Sequence, residues 1–289
     1  MKKTLIAMAA VAVAGVASAQ VTITGAIGYG LSDTNIAARS TGWTDGKVVF
    51  SANEDLGGGM SIAATMQIES YGDRKAGEGV NAGGQSITFT TANAGKLTMS
   101  SSGAARDDLG AAPSLPYDSN TLLGGTLDSY NVLQYDLPTI VDGLSIGVRM
   151  TGGGADSATQ GVAFAGNDKQ LRFGYNLAGA ALTFNTKSTS TGTASSAGLT
   201  YDIAGVTVKA VVDTSVQTGE SKKNEYSISM PVGGLTLAAS KMTEGTTKSS
   251  TEVGATLAMS KRTSVTFGMG SFEGGTTKSA NRLRLVHTF

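Results

Sequence analysis

The sequence predicts an all-β protein, a transmembrane antiparallel β-barrel of sixteen strands preceded by a cleavable leader. Three observations point there. Apolar and polar side chains alternate with a period of two along most of the chain, the period at which successive side chains take opposite faces of a strand. The connections between these stretches are sorted, short alternating with long. One face of each stretch lacks charge while the other collects it, which inverts what a soluble core would tolerate.

The leader comes first. Lys2 and Lys3 precede an apolar stretch, Leu5 to Val16, and Ala17-Ser18-Ala19 is an A-x-A-type cleavage site, so residues 1–19 read as a secretory signal peptide. The stretch is too short for a membrane-spanning helix. The expected mature chain is 20–289. Without Lys2 and Lys3 the balance of 22 basic and 22 acidic residues becomes a net charge of about −2, which argues against a nucleic-acid partner. The chain has no cysteine, so disulfides contribute nothing in the oxidising compartment the leader implies. Its 40 glycines favour short strands and turns over helices.

Strands are expected to centre on 21–31, 47–55, 60–69, 86–92, 96–101, 130–137, 144–151, 169–176, 181–187, 197–202, 206–213, 224–230, 235–242, 251–259, 263–270 and 280–289. In the first, Val21, Ile23 and Ile27 alternate with threonines and small residues. The third reads Ile62-Ala63-Ala64-Thr65-Met66-Gln67-Ile68, and the eighth Leu171-Arg172-Phe173-Gly174-Tyr175. In the last, Leu283, Leu285, His287 and Phe289 share one side, and Arg282, Arg284, Val286 and Thr288 the other. Roughly seventeen residues per strand and connection suit strands of about ten residues tilted through a bilayer.

Short connections follow the even strands, among them Gly57-Gly58-Gly59, Asn93-Ala94-Gly95, Asp142-Gly143, Ala178-Gly179 and Gly233-Gly234. Longer ones, about 32–46, 70–84, 102–129, 152–168 and 214–223, follow odd strands. Antiparallel neighbours therefore gather short turns at one rim and long loops at the other, the asymmetry of membrane barrels. Tyr135, Tyr175, Tyr201 and Phe289 end strands running to the short-turn rim, where a membrane surface collects aromatic rings.

The charge-free face includes Ile23, Ile27, Met66, Met99, Val148, Phe173, Phe184, Val253 and Phe267. The alternate face carries Lys47, Gln67, Glu69, Lys96, Arg149, Arg172, Lys187, Lys209, Asp213, Arg282 and Arg284. A Lys or Arg facing lipid near the midplane costs about 2–4 kcal/mol, so this face needs a hydrated lumen. Sixteen strands leave room for one. The expected basic wall of that lumen is Lys47, Arg149, Arg172, Lys209, Arg282 and Arg284. The loop at about 102–129 holds Asp107, Asp108, Asp118 and Asp128. It can fold inward, setting carboxylates against the basic wall and creating a transverse field, or only cover the mouth.

Some stretches resemble a known family. Gln20-Val21-Thr22-Ile23-Thr24-Gly25, the run from Lys47 to Met60 with Glu54-Asp55-Leu56 before its glycines, and Asn131-Val132-Leu133-Gln134-Tyr135-Asp136-Leu137-Pro138 are similar to the start, the second strand with its turn, and the sixth strand of the general porins of Gram-negative outer membranes. The resemblance covers the mature chain. It implies a homotrimer in the lipopolysaccharide-containing outer membrane, passive diffusion of ions and small hydrophilic solutes, a third loop folded into the lumen, and Phe289 as the signal read by the barrel-assembly machinery. Lys47 sits where the family commonly has a wall arginine, whereas Ser101 and Gln134 sit where it often has others, which weakens the expectation of strong anion preference.

A channel requires no catalytic set, and none is read here. The single histidine, His287, lies on the lipid side of the last strand, so no Ser-His-Asp arrangement forms around it in a lumen. No spacing singles out an acid pair. One histidine and no cysteine leave only oxygen ligands for a metal; Ca²⁺ on the loop aspartates has no motif behind it, and no cofactor is expected. The alternatives are a non-conducting structural barrel or a barrel enzyme.

Overall fold

The computed structural model describes residues 20–35, 37–69, 81–102, 130–152, 168–189, 192–216, 219 and 221–289. The strands are β1 (Gln20–Thr34), β2 (Ala37–Gly57), β3 (Met60–Glu69) and β4 (Asn81–Thr91). Next come β5 (Gly95–Ser102), β6 (Tyr130–Asp136), β7 (Leu144–Gly152) and β8 (Asp168–Leu177). The second half holds β9 (Ala180–Thr189), β10 (Gly192–Ile203), β11 (Val206–Ser215) and β12 (Lys223–Val232). It ends with β13 (Leu235–Glu244), β14 (Lys248–Ala258), β15 (Thr263–Glu273) and β16 (Ser279–Thr288).

Each strand pairs antiparallel with its sequence neighbours, and β1 pairs with β16, so the sheet is closed. Closure leaves no sheet edge within the ring, which a sheet in hydrocarbon requires because no water is there to satisfy edge amides. All sixteen predicted strands are present, most ends moved by up to five residues and the start of β2 by ten. No helix among the described residues is long and apolar enough to cross a membrane.

The seam is fixed at the short-turn rim. Gly25 N–H donates to the Phe289 carbonyl at 3.0 Å, and Phe289 N–H donates to the Gly25 carbonyl at 3.1 Å. The Phe289 ring lies over Gly25: a Cβ there would stand 2.3 Å from Phe289 Cζ and 2.6 Å from the Lys47 carbonyl oxygen. Short turns follow the expected chemistry. The two-residue hairpins Ala178-Gly179 and Ala204-Gly205 place both residues at positive φ, as the turn that matches strand twist requires.

One expected loop is largely strand. Of 32–46, residues 32–34 extend β1 and 37–46 extend β2, and Ser32 pairs with Ser40, Gly30 with Gly42 and Tyr29 with Trp43. The Ser, Thr and Gly here give no hydrophobic alternation, because this ribbon rises past the apolar belt and neither face needs grease. Arg39 and Asp33 pair across it at 3.4 Å, both exposed.

The apolar side chains face out. Ile23, Ile27, Met66, Met99, Val148, Phe173, Leu199, Val253, Phe267 and Leu285 are exposed, while the buried hydrophobics among the described residues are Ala26, Val132, Met242, Phe272 and Ala280. A soluble domain has the reverse. Tyr135, Tyr175, Tyr201 and Phe289 are all on the outside at the short-turn rim. Toward the long-loop rim, Tyr29 and Trp43 meet edge to face, ring centroids 5.4 Å apart at 83°. Outward charges exist, but near strand ends: Lys169 is the second residue of β8, beside Met150, and Lys241 lies three residues before the end of β13, beside Tyr226.

Candidate functional site

The inner face can be followed around the ring by register. Ala26 pairs with Lys47 and Lys47 with Glu69; on the same side Thr65 pairs with Ser86, Ser86 with Ser100 and Ser100 with Val132. Beyond β6, Gln134 pairs with Arg149, Arg149 with Gln170 and Gln170 with Lys187. The circuit continues through Asn185 and Ser196, Lys209 and Ser227, Ser240 and Glu252, and Gly270 with Ala280, and returns through Arg284 paired with Gly30 of β1. Lys47, Arg149, Arg172, Lys209, Arg282 and Arg284 therefore all share the inner face.

They do not form one wall. Arg282 and Arg284 are on β16 and Lys47 on nearby β2, whereas Arg172 is on β8, eight strands away in a ring of sixteen and thus diametrically opposite. Arg149 neighbours Arg172 on β7, and Lys209 lies apart on β11. Alternation assigns a side chain to a face but carries no information about which strands oppose each other. Asp107, Asp108, Asp118 and Asp128 lie outside the described residues.

Four inner sectors result. The β16–β2 sector sets Arg282 and Arg284 among small neighbours: Gly268 and Ser32 flank Arg282, and Thr266 and Gly30 flank Arg284. The β3–β5 sector is hydroxyl-rich, with Glu69 at its edge beside Lys47, Thr65 and Ser86 oxygens 2.7 Å apart and those of Thr88 and Thr98 3.1 Å apart.

The β5–β9 sector is cationic and held in place by amides. Lys96 pairs with the Asp136 carboxylate at 3.3 Å. Gln134 Nε2 donates to both oxygens of that carboxylate, at 2.8 and 3.0 Å. Arg172 donates in turn to Gln134 Oε1 at 3.3 Å. Gly147 makes this reach possible: it pairs with both Asp136 and Arg172, and a Cβ on it would stand 2.6 Å from Asp136 Oδ1. Arg149 and Gln170 in the adjoining row are buried, at 5 and 8 % exposure.

The β11–β14 sector is mixed and internally paired. Glu244 takes Lys248 at 3.2 Å and Lys223 at 3.7 Å, and Asp213 accepts the Lys223 backbone N–H at 2.8 Å. Beside it is an inward patch absent from the expected site: Met242, Phe272 and Ala280, with Glu252 at 2 % exposure. The Phe272 ring covers Gly270, where a Cβ would stand 2.5 Å from its Cζ. Alternation from outward Phe267 already puts Phe272 inside, so the signal was available in the sequence.

Two further positions bear on expectation. Gln134 is inward, but Ser101 is not a wall residue: it pairs with Gln85 and Asn131 on the outer face, and its hydroxyl accepts the Gln85 backbone N–H at 3.2 Å. His287 is on the outer face, with Nδ1 2.9 Å from the Thr263 hydroxyl. No group of three or more His, Cys, Asp or Glu side chains gathers to hold a metal among the described residues.

Comparisons with known proteins agree with this architecture. The family profile described as Gram-negative porin matches residues 5–282. Among solved structures, Salmonella typhi OmpF in complex with daunomycin is similar, with a TM-score of 0.76 and 16 % identity, covering 94 % of this chain and 98 % of that one. A triple mutant of the Rhodopseudomonas blastica porin is similar at a TM-score of 0.68 and 12 % identity, over 93 % of this chain and all of that one. At these identities the likeness concerns the fold. No curated protein sequence matched.

Proposed function

The chain belongs to the Gram-negative porins and forms a channel in the bacterial outer membrane; from that premise we propose that it works as a homotrimer, cleaved after Ala19, passing ions and small hydrophilic solutes without chemistry. One observation carries the reading of an open, weakly selective path: inner-face charge distributed around the ring while the outer face stays apolar through the membrane belt. Such a wall keeps water in the lumen, and hydrated solutes cross without being stripped.

The selectivity proposed is mild. Arg282, Arg284 and Lys47 face the Arg149 and Arg172 sector across the lumen, and Lys209 stands apart on β11 between Thr200 and Ser227. Asp107, Asp108, Asp118 and Asp128 are proposed as the carboxylates of a constricting third loop. Acids there would offset the cationic sectors, leaving the lumen field transverse rather than uniformly attractive to anions. Phe289 is proposed as the assembly signal read before it closes the seam. No metal or organic cofactor enters this reading.

Planar-bilayer recording tests it. Stepwise conductance is expected from the detergent-extracted trimer, and Arg282→Ala with Arg284→Ala should move the reversal potential in a KCl gradient toward cation preference. A folded trimer without conductance steps would overturn the channel, and an unmoved potential would overturn the role of these arginines.

A further inference from the structure

Across β11–β14 the sheet separates charge by sign. Asp213, Glu225, Glu244 and Glu252 stand on the inner face, where Glu244 takes Lys223 and Lys248 and Asp213 accepts the Lys223 backbone N–H. Lys222, at the head of β12, and Lys241, on β13, stand on the outer face, both exposed. Neither makes an ion pair with an acid among the described residues. Lys222 is set in place all the same. Its backbone carbonyl accepts the Gly245 N–H at 2.8 Å, and its Nζ donates to the Thr214 backbone carbonyl at 3.0 Å. That acceptor is neutral, so the ammonium is positioned and its charge remains. Glu273, the outward acid in the row of Asn224 and Thr243, lies two strands beyond Thr243 and accepts the Ser249 hydroxyl at 2.9 Å.

Depth points to what meets these cations. From the short-turn rim the outer face of β12–β13 is apolar for three rows: Val232 with Leu235, Met230 with Leu237, and Ile228 with Ala239. Tyr226 with Lys241 is the next row, and Asn224 with Thr243 the one after. A change from aliphatic side chains to Tyr, Lys, Asn and Thr marks the level where hydrocarbon gives way to headgroups. A lysine at that edge lays its stem on apolar wall and lifts its ammonium to the headgroups. Resting on the membrane reading above, we propose that Lys222 and Lys241, with Tyr226, Asn224 and Thr243, form a seat for the phosphorylated headgroup of an anionic lipid in the long-loop leaflet. Lys222 on its Thr214 contact and Lys241 beside Tyr226 stand on either side of Asn224, which fits a broad headgroup better than a single small anion. The amide and the hydroxyls supply donors between the two charges. The acids that would cancel these charges are on the other side of the sheet, so the attraction is spent on the lipid.

The probe is lipid A, a bisphosphorylated glycolipid, titrated into the folded mature protein in detergent micelles and read by native mass spectrometry. Dephosphorylated lipid A is the control. The unmodified protein should retain lipid A and release the control. Lys222→Gln with Lys241→Gln should raise the half-saturating concentration for the first bound lipid about tenfold. Lys222→Arg with Lys241→Arg should keep the parent value. Lys169→Gln removes a lone outward cation on β8 and should leave it unchanged. Lys241→Gln by itself carries the test, with a rise of about threefold, if the double variant does not show the heat-dependent gel shift of a folded barrel. Equal retention of the two lipids, no rise from the glutamine variants, or an equal rise from Lys169→Gln overturns the seat while leaving the channel intact. Loss of the oligomer from the double glutamine variant without lipid makes the patch a contact between copies and overturns the seat as well. Lipid retention by an unmodified protein that gives no conductance steps overturns the channel and leaves the seat standing.

Discussion

The seam between β1 and β16 offers the sharpest mechanical test. Gly25→Ala adds one carbon where the structure leaves no space: 2.3 Å from Phe289 Cζ, 2.7 Å from Phe289 Cε2 and 2.6 Å from the Lys47 carbonyl oxygen. The ring belongs to the last residue and can swing away, but the Lys47 carbonyl belongs to the β1–β2 ladder and cannot move alone. Overpacking of this kind costs about 1–3 kcal/mol. If the shift also breaks the reciprocal Gly25–Phe289 hydrogen bonds, at 3.0 and 3.1 Å, a further loss of about 1 kcal/mol per bond follows. The expected destabilisation is about 1–3 kcal/mol if both bonds survive and about 3–5 kcal/mol if both are lost, measured by reversible urea unfolding of the barrel in lipid vesicles. The double-mutant cycle with Phe289→Ala separates the parts. With the ring gone, Gly25→Ala should cost clearly less, leaving a coupling above about 0.5 kcal/mol. Additivity, or a Gly25→Ala variant as stable as the parent, would refute the idea that glycine is present to seat the terminal ring.

Further expectations follow from other parts of the wall. Leu199 is exposed on the outer face midway along β10, so Leu199→Arg should destabilise by about 2–4 kcal/mol in the same unfolding assay, while Thr200→Arg, one residue inward, should fold and change conductance instead. Asp136→Asn removes the carboxylate that holds Lys96, leaving one more uncancelled positive charge, and reversal potentials in a KCl gradient should move toward anions. Ala178 and Ala204 sit at φ of 44° and 51°, a region that costs a residue with a Cβ roughly 1–2 kcal/mol; Ala204→Asn should therefore stabilise, seen as a higher unfolding midpoint, and an unchanged or lower midpoint would count against the turn assignment.

The sequence determined what depends on neighbours along the chain. Strand number, the identity of the two faces and the glycine turns at one rim follow from a period of two and from local turn chemistry, and residues such as Phe173, Arg172 and Arg284 stand on the faces that alternation assigned them. Alternation from Met99 also puts Ser101 outside; likeness to a family arginine position pointed the other way, and the register follows the alternation. Ring closure decided the rest. Only the order of strands around the barrel sets Arg172 opposite Arg282, brings Lys96, Asp136, Gln134 and Arg172 into one network across Gly147, and lays Phe289 on Gly25. These relations join positions dozens to hundreds of residues apart, and a pattern that repeats every two residues holds no record of such distances.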